Sequence, residues 1–407
     1  EPSDVARLNT RTRAAARPTP SHPVSQLVRA HSRPTLPPPE SGPIDVLFVA
    51  GEHSGDQHAA TLALAARKLQ PGLRFAALGG PALAAAGVQV LHDLTGSSVV
   101  GFVEVLRNLS YFRALMRETV RWIETYRPRA VCFIDYPGFN LRIAATLRER
   151  GITRPGGGNV RALYYISPQI WAWKARRRFT MARDLDALAA IFPFEVDCYA
   201  DTQLPVDFVG HPFVDPGYKA PVSHDVTGPV LLLPGSRKQA VARIFPLLLK
   251  GFYALGEREA VVLYPSEEIR QVLLSFKPNA HVHLQPMGTH VAASAVLTSS
   301  GTMSMHCALA GIPGAIAYRA NPLTYWIGRR LVKVKYIGIA NLLLDSPMYP
   351  EYIQGAATAD ALSLELKRCL RDIQRQLDTR INAERLRLTL RQPAAGTAAD
   401  WLVHHLD

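Results

Sequence analysis

The stretch Leu297 to Arg319, LTSSGTMSMHCALAGIPGAIAYR, limits the fold of this chain more than any other. A short apolar run ends in the small-residue turn Ser299-Ser300-Gly301-Thr302. A helical segment from Met303 to Ala310 follows, Gly311-Ile312-Pro313 stops it, and Gly314 to Tyr318 reads as the next strand. Strand, small-residue turn, helix, strand is one parallel β-α-β step, which places the chain in the α/β class. At such a turn the backbone lets a ligand come close, and the free N–H groups at the helix start favour an anion. An ordinary crossover helix capped by Ser or Thr would read the same way, so this turn alone does not decide.

A length of 407 residues exceeds one usual core, and two domains are expected. Hydrophobic content of 48% with 19% charged residues describes a globular protein, and no apolar run is long enough to cross a bilayer. The net charge of +13 points to an anionic partner: nucleic acid, an anionic membrane surface or a phosphorylated substrate. Cys132, Cys198, Cys307 and Cys369 are scattered, which argues against a disulfide framework or a zinc site and for a reducing compartment. Residues 1–43, rich in Pro, Ser, Thr and Arg without apolar periodicity, read as a disordered basic tail. An organellar transit peptide has a similar composition.

The fold is expected to start at the buried-strand pattern Ile44 to Ala50. It runs into Gly51-Glu52-His53-Ser54-Gly55-Asp56 and a helix through Leu69, with Ser54 or Asp56 as its cap. That turn is a ligand position in doubly wound sheets, but it is not G-x-G-x-x-G, so a dinucleotide site has little support. Val99 to Leu106, with Leu109, Tyr111, Phe112 and Leu115, is greasy enough to be core or a patch that meets acyl chains. The strand Ala130 to Ile134 delivers Asp135 to the crevice where such sheets bind ligands. We read Asp135 as a general base and Asn140 as the better cap of a helix over Leu141 to Arg150. The strand Arg161 to Ile166 leads to Gln169, Trp171, Trp173 and a basic run through Arg178. That combination suits stacking on a sugar or base with cations for phosphate, or else an aromatic-capped helix start. Asp184-Leu185-Asp186 reads as a surface turn, and no metal shell is expected.

The polar stretch Val214 to Gly228 marks the domain boundary, giving units 44–216 and 217–407. The second unit restarts with the strand Val230 to Leu233 and Pro234-Gly235-Ser236-Arg237, whose arginine can grip a diphosphate bidentately. Further strands are expected at Val261 to Tyr264 and His281 to Gln285. Tyr325 to Tyr336 is amphipathic and basic, Asn341, Glu351 and Gln354 fall in loops, and two closing helices occupy about 358 to 405.

In order, these pieces resemble the lipid-A-disaccharide synthase family of glycosyltransferases. The matching stretches are Ala50-Gly51-Glu52 with Ser54-Gly55-Asp56, Gly101-Phe102-Val103-Glu104-Val105-Leu106, and Ile134-Asp135 through Phe139-Asn140. They continue with Tyr165 to Gln169 into Trp171-Ala172-Trp173, Pro193-Phe194-Glu195, and Val209-Gly210-His211-Pro212. In the second half come Leu233 to Arg237, Ser300-Gly301-Thr302, Tyr318-Arg319, Leu331-Val332-Lys333, Asn341 and Gln354.

The resemblance implies two Rossmann-like doubly wound domains facing across a cleft, the glycosyltransferase B-type fold. It implies the joining of UDP-2,3-diacylglucosamine to 2,3-diacylglucosamine 1-phosphate (lipid X) with release of UDP. Asp135 would take the proton of the acceptor 6-hydroxyl as that oxygen inverts the anomeric carbon. Arg237 and the helix after Gly301 would meet the charge growing on UDP, with no metal or other cofactor. Donor contacts would come from Gly235, Ser236, Ser300, Gly301, Thr302, His306, Tyr318, Arg319, Asn341, Glu351 and Gln354. Acceptor and lipid contacts would come from Glu52, Ser54, Gly55, Asp56, Phe102, Glu104, Asn140, Gln169, Trp171 and Trp173. The enzyme would be cytoplasmic, peripheral on the anionic inner face of the inner membrane, and a homodimer. A nucleic-acid partner is not expected, since the basic and aromatic residues form no recognised module.

Some positions depart from the family. It usually has Glu where this chain has His306 and Ala240, and Ala where it has His53, and the segment between Arg237 and Ser300 is short. These departures keep open a glycosyltransferase with another nucleotide sugar, or a non-catalytic lipid-binding relative.

Overall fold

The computed structural model describes residues 34–95, 109–321, 334–391 and 396–407. The expectations for residues 1–33, for Val99 to Leu106 with Phe102 and Glu104, and for Tyr325 to Lys333 lie outside the described residues. Residues 34–43, read as part of the disordered tail, instead lie against the first half: Leu36 packs on its core, and the Pro37 and Pro38 carbonyls accept from Trp122 and Gln89.

Seven parallel strands build the first sheet: β1 (Val46–Ala50), β2 (Phe75–Gly79), β3 (Gln89–Asp93), β4 (Ala130–Ile134), β5 (Arg161–Tyr165), β6 (Ala187–Ala190) and β7 (Val206–Phe208). Their order is β3-β2-β1-β4-β5-β6-β7. The central strands β1, β2 and β4 are buried along their whole length, as expected of near-continuous apolar runs in a sheet covered on both faces. Among the described residues, the helices of this half are α1 (His53–Leu69), α2 (Pro81–Ala85), α3 (Leu109–Tyr126), α4 (Pro137–Glu149) and α5 (Arg177–Asp184).

The second half carries β8 (Val222–His224), β9 (Val230–Leu233), β10 (Ala260–Tyr264), β11 (Val282–Pro286), β12 (Val291–Ala293), β13 (Ala295–Thr298), β14 (Gly314–Tyr318) and β15 (Glu351–Ile353). Six of these form a parallel sheet in the order β11-β10-β9-β13-β14-β15, and β8 pairs with β12. Its helices among the described residues are α6 (Lys238–Tyr253), α7 (Glu267–Ser275), α8 (Thr302–Leu309), α9 (Ile339–Leu344), α10 (Ala359–Arg371), α11 (Ile373–Leu390) and α12 (Ala398–His404). The short strands β3, β8, β12 and β15 escaped the sequence reading. β3 and β15 are edge strands, and none of the four carries more than a few apolar residues.

Among the described residues, three helices close the chain rather than two. α10 and α11 pack with the second half, but α12 crosses back onto α1 of the first. Trp401, Leu402 and Leu406 are buried there, and the Arg129 guanidinium donates to the Leu406 carbonyl. Residues 217–407 therefore do not stay on one sheet: the apolar face of the last helix completes the cover of the first.

Candidate active site

In an open parallel sheet, ligands sit beyond the strand ends where the order reverses. In the first sheet that point lies between β1 and β4, so the turns at 51–56 and 135–140 meet there. Asp135 and Tyr136 both adopt left-handed φ angles, 43° and 48°. This costs about 1 kcal/mol or more each for residues with a Cβ. Surrounding bonds hold them in place: the Asp135 N–H donates to the Tyr165 carbonyl (3.0 Å), and its carbonyl accepts from Asn140 Nδ2 (2.8 Å) and the Tyr164 hydroxyl. The Tyr136 ring lies over Gly51, where a Cβ would come within 2.1 Å of it.

Asp135 lines a cavity of ≈ 690 Å³ whose walls come from both halves of the molecule. Burial, and then the nearby Glu52, push its carboxyl up to about 6, against the pull of the Tyr136 N–H. It is therefore ionised at neutral pH and still basic enough to accept a proton. Glu195, just past β6, lines the same cavity and is 1% exposed. Burial pushes it up to about 8 although it accepts from the Phe192 N–H (3.2 Å), so at pH 7 it is largely a neutral acid.

Ser54, Gly55, Gln169 and Trp173 also line this cavity, and Glu52 is exposed beside it. Asp56 and Asn140 do other work. The buried Asp56 carboxylate accepts from the N–H groups of Gly80 (2.7 Å), Ala82 (2.8 Å) and Leu83 (3.3 Å), fixing the start of α2. It does not cap α1, which begins after Glu52 without a side-chain cap. Asn140 is no cap either, because α4 already starts at Pro137; its amide clamps the carbonyls of Val49, Ile134 and Asp135. Trp171 is half-buried, edge-on to Phe194 at 5.5 Å.

The order of the second sheet reverses between β9 and β13, at the turns 234–237 and 299–302. Gly235 has φ 104°, and a Cβ there would stand 3.0 Å from Ser299 Oγ. Ser300 and Gly301 lead into α8, and its residues Thr302 and His306 line the shared cavity. Ser236 and Arg237 are exposed at the head of α6. Tyr318 ends β14.

The remaining donor-side expectations are tied up within the fold. Arg319 donates to the Ala357 carbonyl (2.7 Å), and Gln354 exchanges hydrogen bonds with the Ala320 backbone. Asn341 is fully buried in α9, bonded to both backbone groups of Tyr349 and to Glu351. Glu351, on β15, also accepts from the N–H groups of Ile337 and Gly338. Asn341 and Glu351 thus belong to a helix and a strand rather than to loops. Their polar atoms join the edge of the sheet to α9.

Three imidazoles and Phe213 meet where the chain passes from one sheet to the other, and the sequence reading gave a role only to His306. His306 is 6% exposed, stacked 3.9 Å from the Phe213 ring and parallel to Tyr218. Burial lowers His58 and His306 to about 4 and His211 to about 3, so all three are neutral at pH 7. The abrupt His211-Pro212 end of β7 was the available signal. Glu195 was visible only as part of a motif, and Tyr218 stood in a stretch without pattern.

A sequence model of the lipid-A-disaccharide synthetase family matches residues 46–403. The chain belongs to this family. It is 36% identical over 368 residues to the lipid-A-disaccharide synthase of Geobacter metallireducens, covering 84% of this chain and 92% of that one. With the Nitrosococcus oceani enzyme of the same name it is 34% identical over 358 residues, 81% and 88% of the two chains. Among solved structures it is similar to the glycotransferase of kitacinnamycin (TM-score 0.56, 14% identity, 90% of this chain and 100% of that one). It is also similar to a UDP-GlcNAc 2-epimerase from Neisseria meningitidis bound to UDP-GlcNAc (TM-score 0.58, 11% identity, 89% and 99%). At such identities the likeness carries the fold alone, and it includes an epimerase, so the reaction follows from the family. Within the lipid-A-disaccharide synthases, this chain is a glycosyltransferase of two Rossmann-like units acting on a nucleotide sugar and a lipid.

Proposed function

We propose that Asp135 is the general base of an inverting transfer from UDP-2,3-diacylglucosamine to the 6-hydroxyl of lipid X, giving the lipid A disaccharide 1-phosphate and UDP. The observation that carries this assignment is the Asp135 carboxyl at the first switch point, raised to about 6 and facing a cavity shared with Thr302 and His306. The acceptor takes the side of Ser54, Gln169 and Trp173, and the donor that of Thr302 and His306, with Arg237 near the diphosphate. As the acceptor oxygen forms its bond to the anomeric carbon, its proton passes to Asp135 and the sugar–phosphate bond breaks towards UDP. The test is UDP release from UDP-2,3-diacylglucosamine with and without lipid X, for the full chain and Asp135→Asn. Acceptor-dependent release that the variant loses is expected. Undiminished release by the variant overturns the role of Asp135, and no release by the parent overturns the substrate pair.

His306, where the family usually has Glu, favours a second reading with another nucleotide-sugar donor. Turnover of a different UDP-sugar under the same assay would establish it.

We also place the enzyme on the anionic inner face of the inner membrane. Trp173, which lines the cavity, is 52% exposed with Lys174 over its ring at 4.3 Å, and Phe179 on α5 is 49% exposed with Arg178 over its ring at 4.2 Å. Aromatic rings with cations suit a headgroup layer. Salt-sensitive co-sedimentation with phosphatidylglycerol vesicles, absent with phosphatidylcholine, checks it. The homodimer of the family is checked by light scattering of the purified chain.

A further inference from the structure

We propose that Tyr218, on the connection between the two sheets, is the residue that recognises the ribose of the nucleotide donor, acting together with His306 behind it. The inference rests on the reading that the donor nucleotide occupies the side of the cavity formed by α8.

Tyr218 lines that side with Thr302 and His306 although it belongs to neither sheet. Its ring is half-buried, parallel to the His306 ring (interplanar 3°, centroids 5.7 Å) and 5.1 Å from Phe213. Its hydroxyl stands 3.3 Å from His306 Nε2. Burial keeps the imidazole neutral, so that nitrogen either accepts from the phenol or donates to it, according to tautomer. In both cases the phenolic oxygen is the outer end of the pair, with hydrogen-bonding capacity left for a sugar hydroxyl. A carboxylate at position 306 would present its own acceptors. The imidazole is covered and turns its Nε2 to the phenol, so the polar function passes outward to Tyr218. The two stacked rings of Phe213 and Tyr218 also stiffen the wall and fix where that oxygen points.

The test is calorimetric binding of UDP, 2′-deoxy-UDP and 3′-deoxy-UDP to the full chain, to Tyr218→Phe and to the double variant Tyr218→Phe with His306→Glu. The parent should prefer UDP to one of the deoxy nucleotides by about three- to tenfold, the worth of one neutral hydrogen bond. Tyr218→Phe should weaken UDP by the same factor and erase that preference, leaving the KM for lipid X unchanged. The double variant should regain part of the preference, since the carboxylate then reaches the ribose itself. A parent that does not discriminate between the three nucleotides overturns the proposal without any variant. So does a Tyr218→Phe variant that binds all three as the parent does, or weakens all three equally, which would be a packing role. A parent that binds no UDP while still folded sinks the donor reading along with it.

Discussion

At the switch point of the first sheet, the Tyr136 ring covers Gly51 and the gap is filled by side chains. Asp135 and Glu52 bring carboxyl groups there and Glu195 adds a third from beyond β6, and burial sets the protonation of Asp135 and Glu195 more than any counter-ion does. At the switch point of the second sheet, Gly235 and Gly301 keep the turns bare, and among the residues that line the cavity α8 offers a Thr hydroxyl and a covered neutral imidazole. The same strand arrangement therefore serves two ends. The first edge presents groups whose charge changes with pH and can move a proton. The second presents backbone shape and N–H groups whose polarity does not titrate.

If that division is right, the largest loss from any single side chain falls on the first edge. Asp135→Asn should lower kcat by about 10²- to 10⁴-fold in the UDP-release assay, the usual worth of a positioned base. The same variant should be more stable than the parent at pH 8, by roughly 2–3 kcal/mol, because the raised carboxyl no longer has to be buried ionised. That advantage should vanish below about pH 4 in denaturant melts. On the second edge, Arg237→Ala removes one exposed charge-assisted contact and should raise the donor KM by about 10- to 100-fold, leaving the Asp135 pH profile in place. A loss of kcat for Arg237→Ala as deep as that for Asp135→Asn would break the comparison.

The buried acid Glu195 sharpens the contrast through stability alone. Its folded pKa lies above its unfolded value, so the stability it contributes is full below about pH 4.5 and is lost as the pH rises towards 8. The total is roughly 3–5 kcal/mol. Glu195→Gln keeps an acceptor for the Phe192 N–H and should flatten that decline in melts from pH 5 to 8. An unchanged slope would mean that Glu195 is ionised in the fold and that the first edge carries one more negative charge.

The alternating strands and helices, both switch-point turns and the place of Asp135 at a strand end were legible because each is a local pattern: an apolar run followed at once by small or acidic residues. The strand Ala130 to Ile134 was read to the residue for that reason. What the sequence hid is made by partners far along the chain. Asp56 reads as a helix cap, yet its carboxylate serves backbone groups more than twenty residues away. Asn341 and Glu351 read as loop ligands until a helix and an edge strand bring them together. No periodicity announces that α12 returns to α1, or that a tyrosine in the linker lies against a histidine 88 positions later. Short-range chemistry shows in a sequence, while a polar group satisfied across the fold looks just like a free one.

The smallest expected effect tests the tuning of Asp135 by its neighbours. Glu52 is exposed, and its charge is the second cause, after burial, of the raised Asp135 carboxyl. Glu52→Gln removes a negative charge that opposes ionisation, so the Asp135 pKa should fall and the acid limb of kcat/KM should move to lower pH by a fraction of a unit. Raising the salt should shift the parent's limb the same way, because part of this interaction runs through solvent with a screening length of about 8–10 Å at ordinary ionic strength. Glu52→Gln should then respond less to salt than the parent. If the limb instead stays fixed in the variant and across the salt series, burial alone sets the base. The turn at 51–56 would then serve the acceptor by its shape, as the second edge is argued to serve the donor.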